Sequence, residues 1–136
     1  MRIIYLLFAF FPLLVCAQNE PGNNLGKSVY ELRQKFPDLV RWGGYESEPN
    51  YKSPKANTLF TFKNNHVAIE YTLIEGGDDY LQDLFFALVD RFQQGARRVL
   101  WSNNRRGISL FYSNFYVYLS YTPYSDVSIK YQLYSY

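Results

Sequence analysis

Hydrophobic and polar residues alternate with period two along two stretches near the C-terminus. Residues 115–121 place an apolar or aromatic side chain at every second position, and residues 127–133 do the same against Ser, Lys and Gln. Period two is the side-chain period of a β-strand, and one apolar face opposite one polar face is typical of an antiparallel sheet. The alternation therefore predicts two antiparallel strands, with Tyr116 and Tyr118 together on the more polar face of the first.

Two stretches show helical spacing instead. Ser28 and Glu31 have the spacing of a capping box, which begins a short helix that Pro37 ends. Between residues 78 and 94, apolar side chains recur every three or four positions, as in an amphipathic helix. Asp78 or Asp79 is predicted to cap this second helix at its N-terminus.

Four more strands are predicted from alternation and turn residues. Residues 58–63 and 66–74 flank Asn64-Asn65 and are typical of a hairpin. In its second strand, Val67, Ile69, Tyr71 and Leu73 are predicted to face one side, and Glu70 and Thr72 the other. Residues 98–102 and 108–112 are predicted to pair across a turn at 103–107, whereas residues 37–55 have the glycines and prolines of a loop, with room for a brief strand near 39–42.

Together these elements predict an α+β fold with a single antiparallel sheet of about six strands and both helices packed on one face. The predicted order is α-β-β-α-β-β-β-β, in one domain over residues 27–136. A helix followed by a hairpin occurs twice in this order, which indicates an internal duplication.

The N-terminus has the pattern of a secretory signal peptide. Arg2 precedes an apolar run, and the small residues before Gln18 match a cleavage site after Ala17. We therefore expect residues 1–17 to be a signal peptide, residues 18–26 a flexible leader, and the protein to be exported, either periplasmic or secreted. Leu13-Leu14-Val15-Cys16 partly matches a lipoprotein box, so a lipid anchor on Cys16 is the alternative.

Composition narrows the classes of function. Cleavage after Ala17 removes the one cysteine of the 136 residues, so disulfides, thiol nucleophiles and cysteine metal sites are excluded from the mature chain. The formal net charge is +2, and it falls to about +1 without Arg2, so nucleic acid is not predicted as a partner. Aromatic residues make up 20% of the chain, which is ample material for a core without disulfides.

The residues Gly26-Lys27-Ser28-Val29-Tyr30-Glu31-Leu32, followed by Phe36-Pro37, resemble the start of small bacterial envelope domains. These are the SmpA/OmlA-type outer-membrane assembly lipoproteins and the related β-lactamase-inhibitor-protein-like fold, which begin with a glycine, a capped helix and a β-meander. The residue before Cys16 and the long 43–55 loop depart from that pattern. The resemblance implies an envelope protein that binds other proteins rather than an enzyme.

Catalytic chemistry has few candidates. His66 is the single histidine, and Glu70 lies about 13 Å along the same predicted strand, beyond direct contact. Asp78, Asp79 and Asp83 are explained as helix N-terminal charge and lack the spacing of a calcium loop. No metal site, cofactor or catalytic set is predicted.

Binding has stronger candidates, because cationic and aromatic side chains suit recognition of a protein, a sugar or an anionic glycan. Six residues are predicted to form such a patch around one hairpin: Arg98, Trp101, Arg105, Arg106, Tyr116 and Tyr118. The opposing interpretation is that the arginines are solvated turn residues and the tyrosines pack beneath a helix.

The sequence therefore predicts an exported, non-enzymatic domain that binds a protein or glycan in the cell envelope, with the membrane involved only through the signal peptide or a lipid on Cys16. One alternative is a structural envelope component whose aromatic strands pair at their edges. Another is a small hydrolase that uses His66 with nearby carboxylates.

Overall fold

The computed structural model describes residues 20–135, so the predicted signal peptide and Cys16 lie outside the described residues. The two helices of this part are α1 (Val29–Lys35) and α2 (Asp78–Gln93). The strands are β1 (Val40–Gly44), β2 (Pro49–Ser53), β3 (Thr58–Lys63), β4 (His66–Glu75), β5 (Arg98–Trp101), β6 (Gly107–Phe111), β7 (Phe115–Thr122) and β8 (Asp126–Leu133).

All eight strands form one antiparallel sheet in the order β1-β2-β3-β4-β8-β7-β6-β5. Each helix is followed by a four-stranded meander, and the two meanders join where β4 pairs with β8. The repeated unit is thus a helix with four strands, larger than the helix and hairpin predicted from the sequence. Neither helix of residues 20–135 has the length and apolar character needed to cross a bilayer.

The α+β class is confirmed, but the predicted order of elements is wrong: the chain runs α-β-β-β-β-α-β-β-β-β. The pair absent from the predicted order, β1 and β2, lies in the segment predicted as a loop with room for a brief strand near 39–42. Every residue of β1 is exposed, so the strand lacks the alternation of buried and exposed positions from which strands are predicted. Backbone pairing to β2 holds this strand, and Lys52 lies over the ring of Trp42 at 4.6 Å.

Both helices cover the same face of the sheet. Cross-strand partners share a face, and the partner rows connect Phe60 through Glu70 and Tyr131 to Val117. Leu32 of α1 packs with Phe60 on this face, and Phe85 of α2 packs with the residues around Val117. The buried residues of α2 are Leu81, Phe85, Val89 and Phe92, which confirms the predicted apolar stripe.

A register shift between Thr61 and Phe62 changes the faces of β4. Val67 is fully buried and Ala68 nearly so, and after this bulge the alternation is inverted. Glu70 therefore lies on the covered face, and the prediction that Ile69 shares a face with Val67 is wrong.

The ends of the helices follow local chemistry. The Ser28 hydroxyl accepts from the Glu31 backbone N–H and the Glu31 carboxylate accepts from the Ser28 N–H, which confirms the capping box. The N-cap of α2 is Gly77, so the predicted aspartate cap is wrong. Asp78 instead accepts hydrogen bonds from the Tyr121 hydroxyl and the Tyr124 N–H, which tie the helix to the β7–β8 turn.

Residues 20–27, most of which belong to the stretch expected to be a flexible leader, lie against the covered face. The backbone N–H of Gly26 donates to Val67 at 2.8 Å, and Val67 donates in return to Lys27 at 3.0 Å. Leu25 contacts both hydrophobic clusters, the one beneath α1 and the one beneath α2. This segment therefore closes the seam between the two halves of the core.

Candidate functional site

The face of the sheet opposite the helices carries a transverse row of side chains. Register places one residue from every strand in this row, and the row crosses the whole sheet. We call it the central row; in sheet order it consists of Val40, Lys52, Leu59, Tyr71, Lys130, Tyr118, Ser109 and Leu100. Adjacent strands are about 4.8 Å apart, so the row is about 34 Å long.

Lys130 is the charged centre of this face. Its ammonium lies 5.9 Å from the ring centroid of Tyr116 and 6.0 Å from that of Tyr118. Both rings are half-buried, and the Tyr116 hydroxyl donates to the Gln132 side chain at 2.6 Å. The two tyrosines predicted to bind therefore lie on the uncovered face and not beneath a helix, and the lysine occupies a position over both rings.

An aromatic cluster adjoins Lys130. Phe111, Tyr116 and Tyr134 approach one another with ring centroids 5.8 to 6.4 Å apart. The Arg98 guanidinium lies 5.7 Å from the Phe111 centroid. Tyr134 belongs to the C-terminal residues that break the period-two pattern, and this break brings its ring to the polar side of the sheet.

A second group of residues lies at the other end of the central row, and sequence reasoning missed it. Trp42, Lys52, Leu59 and Tyr71 line a cavity of about 160 Å³ together with two neighbours. Trp42 is 58% exposed. The sequence prediction allowed only a brief strand near 39–42 and did not assign Trp42 to the sheet. The bulge in β4 turned Tyr71 to this face. A tryptophan within a polar segment that contains two glycines was the remaining signal in the sequence.

The six predicted site residues do not form one patch. Trp101 lies on the covered face, 6.4 Å from the Phe85 ring, with the Arg105 guanidinium 5.7 Å from its centroid. Arg98 lies on the opposite face, beside Phe111. The structure therefore groups Arg98 with Tyr116 and Tyr118, and Trp101 with Arg105, on the two sides of strand β5.

Arg106 lies apart from both groups, at the end of the hairpin. Together with Tyr118 it lines a polar depression of about 280 Å³. A Cβ on Gly107 would lie 2.3 Å from the Tyr118 hydroxyl oxygen. Glycine at this position therefore allows the tyrosine to lie flat across the strand. Asn104 braces the turn by accepting from the Ser102 hydroxyl at 2.7 Å and from the Arg106 N–H at 3.0 Å.

His66 is exposed and is the first residue of β4, next to the turn that joins β3 and β4. One ring nitrogen, Nδ1, is 2.8 Å from the Asn64 carbonyl oxygen, an interaction within the turn itself. Across residues 20–135, His, Cys, Asp and Glu side chains form no group of three that could hold a metal ion.

Among the described residues of the covered face, one carboxylate is buried, that of Glu70. It accepts from the Asn24 backbone N–H and side-chain amide, both at 2.8 Å. Burial, and then the Glu70 charge, raise the pKa of neighbouring Tyr131 to about 12. Since both carboxylate oxygens have protein donors, this group serves to anchor residues 20–27 to the core.

Three cations of the uncovered face, Lys52, Lys130 and Arg98, have no salt-bridge partner among the described residues. Within the described part of the chain the single salt bridge joins Lys63 to Glu48 at 3.3 Å, near one corner of the sheet. Lys52, Lys130 and Arg98 each lie over an aromatic ring instead. The face therefore combines aromatic and aliphatic surface with positive charge at its centre, and Glu75 and Asp126 lie on it at one end of β4 and β8. Comparisons with protein-family models, with curated proteins and with solved structures find no match.

Proposed function

We propose that this protein is an exported, non-enzymatic domain that binds a protein or glycan partner in the cell envelope through the uncovered face of its sheet. The central row carries the proposal: it crosses all eight strands on the face opposite both helices. A sheet needs only one buried face to be stable, so the second face is available for recognition. Aromatic side chains beside cations are the residue types that dominate binding energy at interfaces.

The geometry favours a protein over a glycan at the centre of this face. Sugars bind to aromatic residues by stacking on open ring faces. Here Lys130 lies over Tyr116 and Tyr118, and Tyr116 also stacks against Tyr134. The Tyr118 hydroxyl and the Lys130 ammonium group are polar groups that a partner can contact here, and these suit the mixed contacts of a protein interface. Among the rings described above on this face, Trp42 is the most exposed, and Lys52 lies over one side of it.

Export is proposed from the sequence. The first 17 residues have the charge, apolar run and small residues of a signal peptide. The described chain follows almost directly, with Glu20 accepting a hydrogen bond from the Ser113 hydroxyl at 3.0 Å. The resemblance of residues 26–37 to envelope domains agrees with the same location.

Site-specific photocrosslinking in intact cells tests the proposal. A photoreactive residue replaces Ser109 or Thr61, which lie on the uncovered face, in separate variants. Matched variants carry it at Gln82 or Arg33, which are exposed on the two helices. We expect one adduct common to both sheet positions and absent from both helix positions, and digestion by protease or glycosidase identifies its class.

Equal crosslinking from sheet and helix positions would contradict a specific face. A second control uses Lys130→Glu combined with the Ser109 crosslinker. Because the lysine is the central charge of the face, its reversal should reduce the adduct at least about tenfold while the melting temperature changes little. An adduct that persists at full yield would show that the partner does not contact this centre.

A further inference from the structure

A groove separate from the uncovered face runs between α2 and strand β5, at the edge of the sheet. It has a volume of about 450 Å³ and is lined by Phe86, Val89, Asp90, Gln93, Trp101 and Arg105. Phe86 is 61% exposed although it is a large apolar residue. On the other side of the same strand, Leu100 is 45% exposed. The edge of β5 is thus bordered by apolar surface on both sides.

The two edges of the sheet differ in regularity. On β1, register breaks between Arg41 and Gly44, where Gly43 and Gly44 have φ of 101° and 82°. Such an irregular edge pairs poorly with another strand. On β5, register to β6 is continuous from Arg98 to Trp101. β5 therefore presents the regular edge, with backbone groups available along one side.

The charges around this edge define what it can accept. Arg97 precedes the strand, Arg98 begins it, and Arg105 lies over the Trp101 ring. Asp90 is the one acidic residue that lines the groove. Two copies paired through β5 would bring two arginine-rich edges of the same sign together, and like charges on facing surfaces oppose association. An acidic strand would instead place its carboxylates opposite these guanidinium groups.

We infer that the edge of β5 and its groove form a docking site for an extended acidic polypeptide segment, which adds to the sheet as a ninth strand. Residues of the segment that face α2 pack apolar side chains between Phe86 and Trp101. Acidic residues at its ends pair with Arg98 and Arg105. The backbone of the segment bonds to β5, so binding depends on main-chain groups as well as on charge. This site meets the proposed binding face only at the β5 edge, where Arg98 and Leu100 lie.

The test uses a defined peptide with capped ends, Glu-Ser-Val-Leu-Phe-Glu-Ser. In an extended strand its first glutamate lies on the same side as Val and Phe, toward Arg105, and its second glutamate lies on the other side, toward Arg98. The chain has two tryptophans, so Trp42→Phe leaves Trp101 as the fluorescent reporter beside the groove. We expect a saturable change in Trp101 fluorescence with one peptide bound per chain, and weaker binding as salt is added. Arg98→Glu, Arg105→Glu and Phe86→Ser should each weaken binding at least about tenfold. Arg33→Glu on α1 is the matched charge control and should leave it unchanged.

Two N-methylated peptides separate strand addition from simple adhesion. One is methylated at its third and fifth residues and the other at its second, fourth and sixth. Because a strand directs alternate N–H groups to opposite edges, one of the two should lose binding and the other should keep it. A peptide with lysine in place of both glutamates should not bind.

Several results would overturn the inference. These are equal binding of the glutamate and lysine peptides, equal binding of both methylated peptides, or no binding of the parent peptide to the folded protein at millimolar concentration. Concentration-dependent dimerisation that Arg98→Glu alters would also overturn it, since a second copy would then occupy the edge. Loss of this site leaves the crosslinking result at Ser109 and Thr61 unaffected, so the two proposals fail separately.

Discussion

Asn24→Ala is predicted to destabilise the whole domain, although residue 24 precedes the first helix. The Asn24 side chain is 3% exposed, and its amide donates to a Glu70 carboxylate oxygen at 2.8 Å. Glu70 is itself 6% exposed and lies on the central strand β4. Alanine removes this donor and leaves a buried carboxylate oxygen without its partner, because too little water reaches the site to replace it.

The expected cost follows from the type of bond that is lost. A hydrogen bond to a charged group contributes about 1.5 to 3 kcal/mol, and the Asn24 backbone N–H still donates to the second oxygen. We therefore expect the free energy of unfolding to fall by about 2 kcal/mol. For a domain of this size, that corresponds to a drop in melting temperature of roughly 6 to 10 °C.

Urea unfolding at pH 7 measures this value, and a double-mutant cycle with Glu70→Gln assigns it to the pair. The cycle should give a coupling free energy of about 1 to 2 kcal/mol. Hydrogen exchange of the Val67 amide, which donates to Lys27, should accelerate in Asn24→Ala. A loss below about 0.5 kcal/mol with no change in exchange would refute the reasoning and favour a mobile leader.

Two further predictions concern the sheet. Gly107→Ala should lower the free energy of unfolding by about 1 to 2 kcal/mol, because the new Cβ meets the Tyr118 hydroxyl. In a Tyr118→Phe background the loss measured by urea unfolding should be smaller. An equal loss in both backgrounds would contradict this contact as the cause. Burial raises the pKa of Tyr131 to about 12, so the folded state holds this proton more tightly than the unfolded chain. The contribution of Tyr131 to the free energy of unfolding is complete below about pH 10 and is lost as pH rises toward 12. In Tyr131→Phe the decline of the free energy of unfolding over this range should be smaller by about 2 to 3 kcal/mol. An unchanged profile would contradict the assignment.

Regular alternation predicted the strands near the C-terminus well. Phe115, Val117, Leu119 and Tyr121 are all buried, and Tyr116 and Tyr118 lie on the opposite face, as the pattern indicates. Each of these strands has one buried and one solvent-facing side, and this difference appears in the sequence as an alternation of apolar and polar residues. The apolar stripe of α2 was predictable for the same reason, at helical spacing.

Exposed and irregular segments were not predictable in this way. Strand β1 buries none of its residues, so no alternation of buried and exposed positions distinguishes Val40 and Trp42 from their neighbours in the sequence. In β4 one extra residue at the bulge reverses the faces, and Glu70 enters the core because Asn24 supplies its hydrogen bonds. That compensation comes from 46 positions away in the chain, beyond the reach of any local periodicity.

Only part of the candidate site was predictable from the sequence. The aromatic and basic residue types around the β5–β6 hairpin were evident in the sequence, but the structure puts Trp101 and Arg105 on one side of β5 and Arg98 on the other. The central row joins residues from all eight strands, so it exists only once the sheet has formed.

The sequence by itself determined the α+β class, the helical and β-strand character of its most regular segments, and the predictions of export and binding. The class and the regular elements follow from local spacing, because each amphipathic element must bury its own apolar side. The predictions of export and binding follow from the types of residue at the N-terminus and around one hairpin. Only the tertiary structure decided the number and order of strands, the inversion of β4, the docking of residues 20–27 and the composition of the uncovered face. Each of these depends on backbone pairing or on buried polar contacts between distant residues, and such interactions leave no period in the chain.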